Sequence, residues 1–134
     1  MKFYIASKLK NHKQVQYLAQ KLKAAGWHQT FDWTNYLSAK PMDERSFMSL
    51  GQKEVDGVKN ADVVIVLTPQ GRGTHVELGM AIALGKIIYL CHTDDAYFKC
   101  DNNTSSFYWL PQVKQLIGTI AEIAETILCC DHTI

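Results

Sequence analysis

A chain of 134 residues can build one domain with a real core, but not two. Lysine and arginine number 14 against 13 aspartates and glutamates, a formal net charge of +1, so no basic field is present to hold a nucleic-acid polymer or an anionic membrane surface. Small molecules and further copies of the chain remain as partners, and a single crevice is expected to serve them.

The opening residues MKFYIAS carry an apolar run too short for a signal peptide, and no later segment reaches the roughly 20 apolar residues of a membrane span, so the chain reads as cytoplasmic. Cys91, Cys100, Cys129 and Cys130 have neither zinc-site nor thioredoxin spacing and read as reduced thiols. A metal site gathered from Cys91, His92, Cys129, Cys130 and His132 is disfavoured, because these residues lack the paired spacing of structural zinc ligands. No metal and no cofactor is expected.

Strand and helix signals alternate, the mark of βαβ units and a parallel sheet. Strand one is expected at 2–6. Helix one follows from Asn11, with Gln14 as the second half of a capping box and an apolar face of Val15, Leu18, Ala19, Leu22 and Ala25. Strand two is expected at 27–33, half polar and so at a sheet edge, with 34–41 as a loop. Helix two spans 43–60, with Phe47, Leu50, Gly51, Val55 and Val58 as its buried side. Strand three is the unbroken run VVIVL at 63–67, of the kind a sheet covered on both faces requires.

The turn that follows is the most telling stretch of the chain. In GRGTHVELG (71–79), Gly71 and Gly73 allow a sharp turn and close approach of a ligand, and Thr74 is placed to cap a helix over 74–84. Glu77 then stands just inside that helix, where the positive end of the helix dipole should keep it ionised, as a carboxylate nucleophile must be. Arg72 can pair a phosphate, and His75 can orient in the turn.

Strand four is expected at 87–91. The polar stretch 92–105 is long for a compact domain and suggests a binding loop, a lid or a subunit contact, with Asn102 or Ser105 of a neighbouring copy touching the substrate. A short strand at 107–110 and a helix starting at Pro111 and running through Val113, Leu116, Ile120, Ile123 and Ile127 complete the chain.

Right-handed connections then favour a doubly wound, flavodoxin-like sheet in the order 2-1-3-4-5, with helices on both faces. Its switch point lies between strands one and three. Ser7 and Lys8 reach that crevice from the end of strand one, Asp32 and Trp33 from the end of strand two, and the glycine turn with Glu77 from strand three. Ser7 can hydrogen-bond a ligand there, and Trp33 can stack on a flat one.

The segments FYIAS, AGWHQTFDWT, KNADVVIVL and GRGTHVELGMAIALGK together resemble the nucleoside 2-deoxyribosyltransferase superfamily, most of all its small members, over residues 2 to 90. The resemblance implies that Glu77 attacks the anomeric carbon of a (deoxy)nucleoside or its 5′-monophosphate, and that the covalent glycosyl intermediate passes to another base or to water. It implies a homodimer or higher homo-oligomer as well. The family's strand-one tyrosine, which orients the nucleophile, aligns with Phe3, while alternation turns Tyr4 to the opposite face, which would leave the nucleophile without that hydroxyl. A family aspartate that handles base or sugar is matched by Glu54, which helical facing favours as a site residue over Asp56.

A variant of this reading takes a different N-glycosidic substrate, such as NAD. From another class comes a non-catalytic nucleotide-binding or sensing module of the same fold, favoured by Phe3 and Glu54. A flavin binder is disfavoured, because the first loop lacks a hydroxyl-rich phosphate cradle.

Overall fold

The five strands pair in parallel in the order β2-β1-β3-β4-β5. They are β1 (Lys2–Ala6), β2 (His28–Gln29), β3 (Val63–Leu67), β4 (Ile87–His92) and β5 (Val113–Ile117), with helices α1 (His12–Ala24), α2 (Glu44–Asn60), α3 (Arg72–Ala83) and α4 (Ile120–Cys129) between and after them. The structure is a computed structural model that describes residues 1–36, 42–130 and 132; residues 37–41 of the expected loop lie outside that set. Among the described residues no helix is long and apolar enough to cross a membrane.

The connection from β1 to β2 runs one way along the sheet and those from β2 to β3 and β3 to β4 run the other, so right-handed crossovers place the helices on opposite faces. On one face, Phe3, Ile5, Val63, Ile65 and Tyr89 pack with Val15, Leu18 and Leu22 of α1 and Ile123 and Ile127 of α4. On the other, Tyr4, Ala6, Val64, Val66 and Leu90 pack with Val58 of α2 and Leu78 and Ala81 of α3. All five residues of β3 are buried, as a strand covered on both faces must be.

Several boundaries differ from the sequence expectation, each for a local reason. Strand two pairs over two residues, because the Asp32 carboxylate accepts from the Thr34 N–H at 3.0 Å and turns the chain into the short 3-10 helix Trp33–Tyr36. The expected Asn11 cap does not form; Asn11 instead donates its side-chain amide to Ser7 Oγ at 3.2 Å. Helix α2 buries Gly57 and Val58 but leaves Phe47 and Gly51 exposed, since its N-terminal half overhangs the sheet end.

The largest revision is at the C-terminal end. Residues 106–109 form a 3-10 helix, not a strand, and the segment expected to open the last helix is β5. Val113, Leu116, Ile117 and Ile120 suit a 3.6-residue period on paper. The helix begins only after Thr119, whose hydroxyl accepts from the Glu122 N–H while the Glu122 carboxylate accepts from the Thr119 N–H. That Thr-x-x-Glu pattern was the readable signal for the boundary.

Candidate active site

A cleft of about 500 Å3 opens at the carboxyl ends of β1 and β3, beside the N-terminus of α3. This is the switch point of the sheet, where strand order reverses and neighbouring connections part to opposite faces. Ser7 and Lys8 line it from β1, Trp33 from the 3-10 helix, Glu54 and Leu50 from α2, and Gly71, Gly73, Thr74 and Glu77 from the glycine turn and α3.

Gly71, not Thr74, occupies the N-cap position of α3. Its φ of +88° turns the chain there, and Thr74 lies buried in the first helical turn without capping it. A side chain at Gly71 would also meet Lys8, whose Cγ lies 3.2 Å from the place of a Cβ. A Cβ at Gly73 would meet nothing within 4 Å. The open space above Gly73 is part of the cleft.

Because α3 starts at Arg72, Glu77 sits in its second turn, beyond the reach of the helix-terminal charge that was expected to keep it ionised. It is 6% exposed, and burial pushes its carboxyl up to about 8, against the opposing effect of a hydrogen bond from Tyr4 and with a smaller upward push from the Glu54 charge. The Tyr4 hydroxyl donates to Glu77 Oε2. Burial foremost, then the adjacent Glu77 charge, holds the Tyr4 proton in place, so the phenol is a fixed donor.

The expected loss of the orienting hydroxyl is therefore corrected: Phe3 faces α1 and α4, whereas Tyr4 faces α2 and α3, the side that bears Glu77. Alternation assigned the two residues to opposite faces rightly, but only the crossovers decide which face receives α3. Gly57 lets Tyr4 reach its position. A Cβ there would stand 2.9 Å from the Tyr4 ring and from Phe31 Cβ, so the α2 backbone approaches the ring closer than any other residue allows. A glycine inside a helical pattern was the available hint of such an approach.

Glu54 is half-buried at the cleft, and burial raises its carboxyl above the usual range, while Asp56 is exposed and accepts from Gln52 Nε2 at 3.0 Å. The Ser7 hydroxyl is engaged, donating to the Leu67 carbonyl at 2.7 Å. Trp33 donates its indole N–H to the Ile5 carbonyl at 2.7 Å, which sets the ring at the cleft wall. Asp32 is spent on the turn described above and does not line the cleft. Asn102 and Ser105 are also away from it; Ser105 caps the 3-10 helix through the Phe107 N–H. Sequence reading passed over Tyr36 and assigned Phe47 to the buried side of helix two, whereas both line the cleft.

Fold and site together define a doubly wound α/β domain that holds a tyrosine-bound carboxylate in a cleft at its switch point. The chain belongs to the nucleoside 2-deoxyribosyltransferase family, whose model matches residues 3–124. Curated protein sequences yielded no match. Among solved structures, the CMP N-glycosidase BcmB of Clostridium botulinum is similar with a TM-score of 0.65 at 20% identity, over 97% of this chain and all 100% of the other. A 2-deoxyribosyltransferase from Bacillus psychrosaccharolyticus gives 0.68 at 16% identity over 98% and 93%. A conserved protein from Enterococcus faecalis V583 gives 0.58 at 18% identity over 96% and 97%. At these identities the likeness concerns the fold.

Proposed function

We propose that this protein cleaves or transfers at the N-glycosidic bond of a (deoxy)nucleoside or its 5′-monophosphate, through a covalent glycosyl intermediate on Glu77. The observation that carries the reading is the Tyr4 hydroxyl bonded to Glu77 inside the cleft. The phenol holds one carboxylate oxygen, favours the ionised form and leaves the other oxygen to attack C1′. As the C1′–O bond to Glu77 forms, the C1′–N bond breaks and its electron pair passes to the base nitrogen. A proton must reach the departing base, and Glu54, with its raised affinity for one, is the carrier in this reading. In the second step the Glu54 carboxylate takes a proton from the incoming water or acceptor base, which attacks C1′ and frees Glu77.

The 5′-monophosphate is the better fit. Lys8 and Arg72 both border the cleft, and among the described residues neither forms an ion pair. The unpaired N–H groups of the first turn of α3 lie at the same end and suit an anion. Activities of the two named neighbours, N-glycosidase on CMP and deoxyribosyl transfer, represent the two fates of the intermediate. The non-catalytic alternative drew much of its weight from a missing strand-one hydroxyl, and the hydrogen bond from Tyr4 to Glu77 speaks against it.

A homo-oligomer belongs to the same reading. The outer side of α3 exposes Val76 and Leu84, and Phe107 lies open on the segment after β4, more apolar surface than a helix facing water usually carries.

Incubation with deoxynucleosides, ribonucleosides, their 5′-monophosphates and NAD, with and without a second free base, decides the function. Free base is expected from a 5′-monophosphate with wild-type protein and none with Glu77→Ala. A folded wild-type protein that releases base from no member of the panel would overturn the reading.

A further inference from the structure

The connection between β4 and β5, read from sequence as a lid, binding loop or subunit contact, sends two tyrosine hydroxyls to the glycine turn. Tyr97 receives a hydrogen bond from Gln70 Nε2. Tyr108 lies 2.6 Å from His75 Nε2, with the two rings stacked at 5.9 Å and 21° between planes. His75 Nδ1 is in turn 2.8 Å from the Gly71 carbonyl, which also accepts from the His75 main-chain N–H at 3.3 Å.

The donors in this chain are determined by chemistry. A carbonyl can only accept, so Nδ1 carries a proton; in the neutral imidazole Nε2 then accepts, and the Tyr108 hydroxyl donates to it. One imidazole tautomer thus joins the β4–β5 connection to the residue at which α3 begins. The far ends are anchored as well. Tyr108 and Phe98 are buried in the core cluster that holds Leu78 and Ala81 of α3, and the Tyr97 ring meets His92 edge-on at 4.7 Å.

Gln70 and His75 flank residues 71–74, the part of the turn that lines the cleft, but do not line the cleft themselves. We propose that Tyr97 and Tyr108 are positioning residues that hold the glycine turn from behind, so that Arg72 and the first amides of α3 are set for the 5′-phosphate of the substrate. This rests on the monophosphate reading above. Groups that recognise a substrate need placement to about half an ångström, and a turn built on glycine does not supply that by itself.

The test uses full-length Tyr97→Phe, Tyr108→Phe and the double variant, with His75→Asn as a variant that keeps a short amide donor near Gly71 but cannot reach Tyr108. KM and kcat are measured with a nucleoside 5′-monophosphate and with the matching nucleoside, and amide hydrogen exchange is followed without ligand. The double variant should raise KM for the monophosphate about tenfold, leave KM for the nucleoside within about twofold, and leave kcat and its pH profile unchanged. Exchange should quicken at residues 70–76 and nowhere else. An equal rise of KM for both substrates would overturn the assignment to the phosphate, and unchanged exchange at 70–76 would overturn the brace itself. If Tyr108→Phe does not fold, Tyr97→Phe at a partly buried ring and His75→Asn at an exposed one carry the same readouts. Wild-type protein that turns over nucleosides but no monophosphate would reject the phosphate reading, while exchange would still decide whether the hydroxyls hold the turn.

Discussion

Tyr4 and Glu77, 73 residues apart in the chain, are joined by a hydrogen bond at the buried wall of the cleft. Burial raises the carboxyl of Glu77 to about 8, and the Tyr4 hydrogen bond works against that rise. A nucleophile must be ionised while Glu54 must still hold the proton it gives to the base, so kcat/KM should follow a bell in pH, with one limb set by Glu77 near 8 and the other by Glu54. Tyr4→Phe keeps the ring but removes the counteracting donor. The limb set by Glu77 should then move to higher pH and the maximum should fall by roughly tenfold to a hundredfold, as for loss of a charge-assisted hydrogen bond in an active site. A pH–rate profile of the two proteins checks both; a limb that stays in place would mean another group controls it.

The same burial has a stability consequence with a definite sign. Between the ordinary carboxyl value of 4.5 and about 8, the folded protein keeps a proton on Glu77 that the unfolded chain has released. Stability attributable to this group is therefore complete below 4.5 and is lost as pH rises through about 8. Glu77→Gln retains an acceptor for Tyr4 without the charge. It should abolish base release by a thousandfold or more, yet be more stable than wild type above pH 8, by an amount on the order of a few kcal/mol, with the difference fading toward pH 4.5. Thermal melts at pH 5 and pH 9 are the check, and equal shifts at both would contradict it.

Glu54 and Asp56 are two residues apart on α2 but face differently, one at the cleft and one bonded to Gln52 in solvent. Glu54→Gln should slow base release by about tenfold to a hundredfold, in line with a lost proton carrier, whereas Asp56→Asn should stay within about twofold. Glu54→Asp restores the family's side chain and should retain more activity than Glu54→Gln. Single-turnover rates of the three variants separate the roles, and the reverse order would move the proton carrier elsewhere.

Gly57 sets the distance from α2 to the Tyr4 ring. Since an added methyl would fall 2.9 Å from that ring, Gly57→Ala should cost about 1–3 kcal/mol in denaturant unfolding through overpacking and lower activity by displacing Tyr4 from Glu77. Gly51→Ala on the same helix has open space and should be neutral or slightly stabilising. Equal behaviour of the two variants would argue against the close contact.

Light scattering at micromolar concentration should show a dimer or larger species. Replacing exposed Val76 by aspartate should dissociate it, with a charge placed in an apolar contact as the cause. A fully active monomer would remove the oligomer from the proposal, and with it any contact from Asn102 or Ser105 of a neighbouring copy.

The sequence by itself determined the parallel sheet, its strand order and the place of the cleft, because these follow from short-range facts: the alternation of strand and helix signals, the VVIVL run and the glycine turn before Glu77. It also separated Phe3 from Tyr4 by strand alternation, and Glu54 from Asp56 by helical facing together with the family resemblance. Periodicity does not say which face of the sheet a given helix covers, so Tyr4 could be joined to Glu77 only once the crossovers were in place. Nor does it separate a strand from the first turns of a helix when both suit the same apolar residues, as at 113–117, where pairing with β4 decided. The ionisation of Glu77 was likewise a tertiary matter. The sequence placed it under the dipole of its own helix, but that helix begins at Arg72, which leaves Glu77 beyond the reach of the helix end, and burial decides its proton instead.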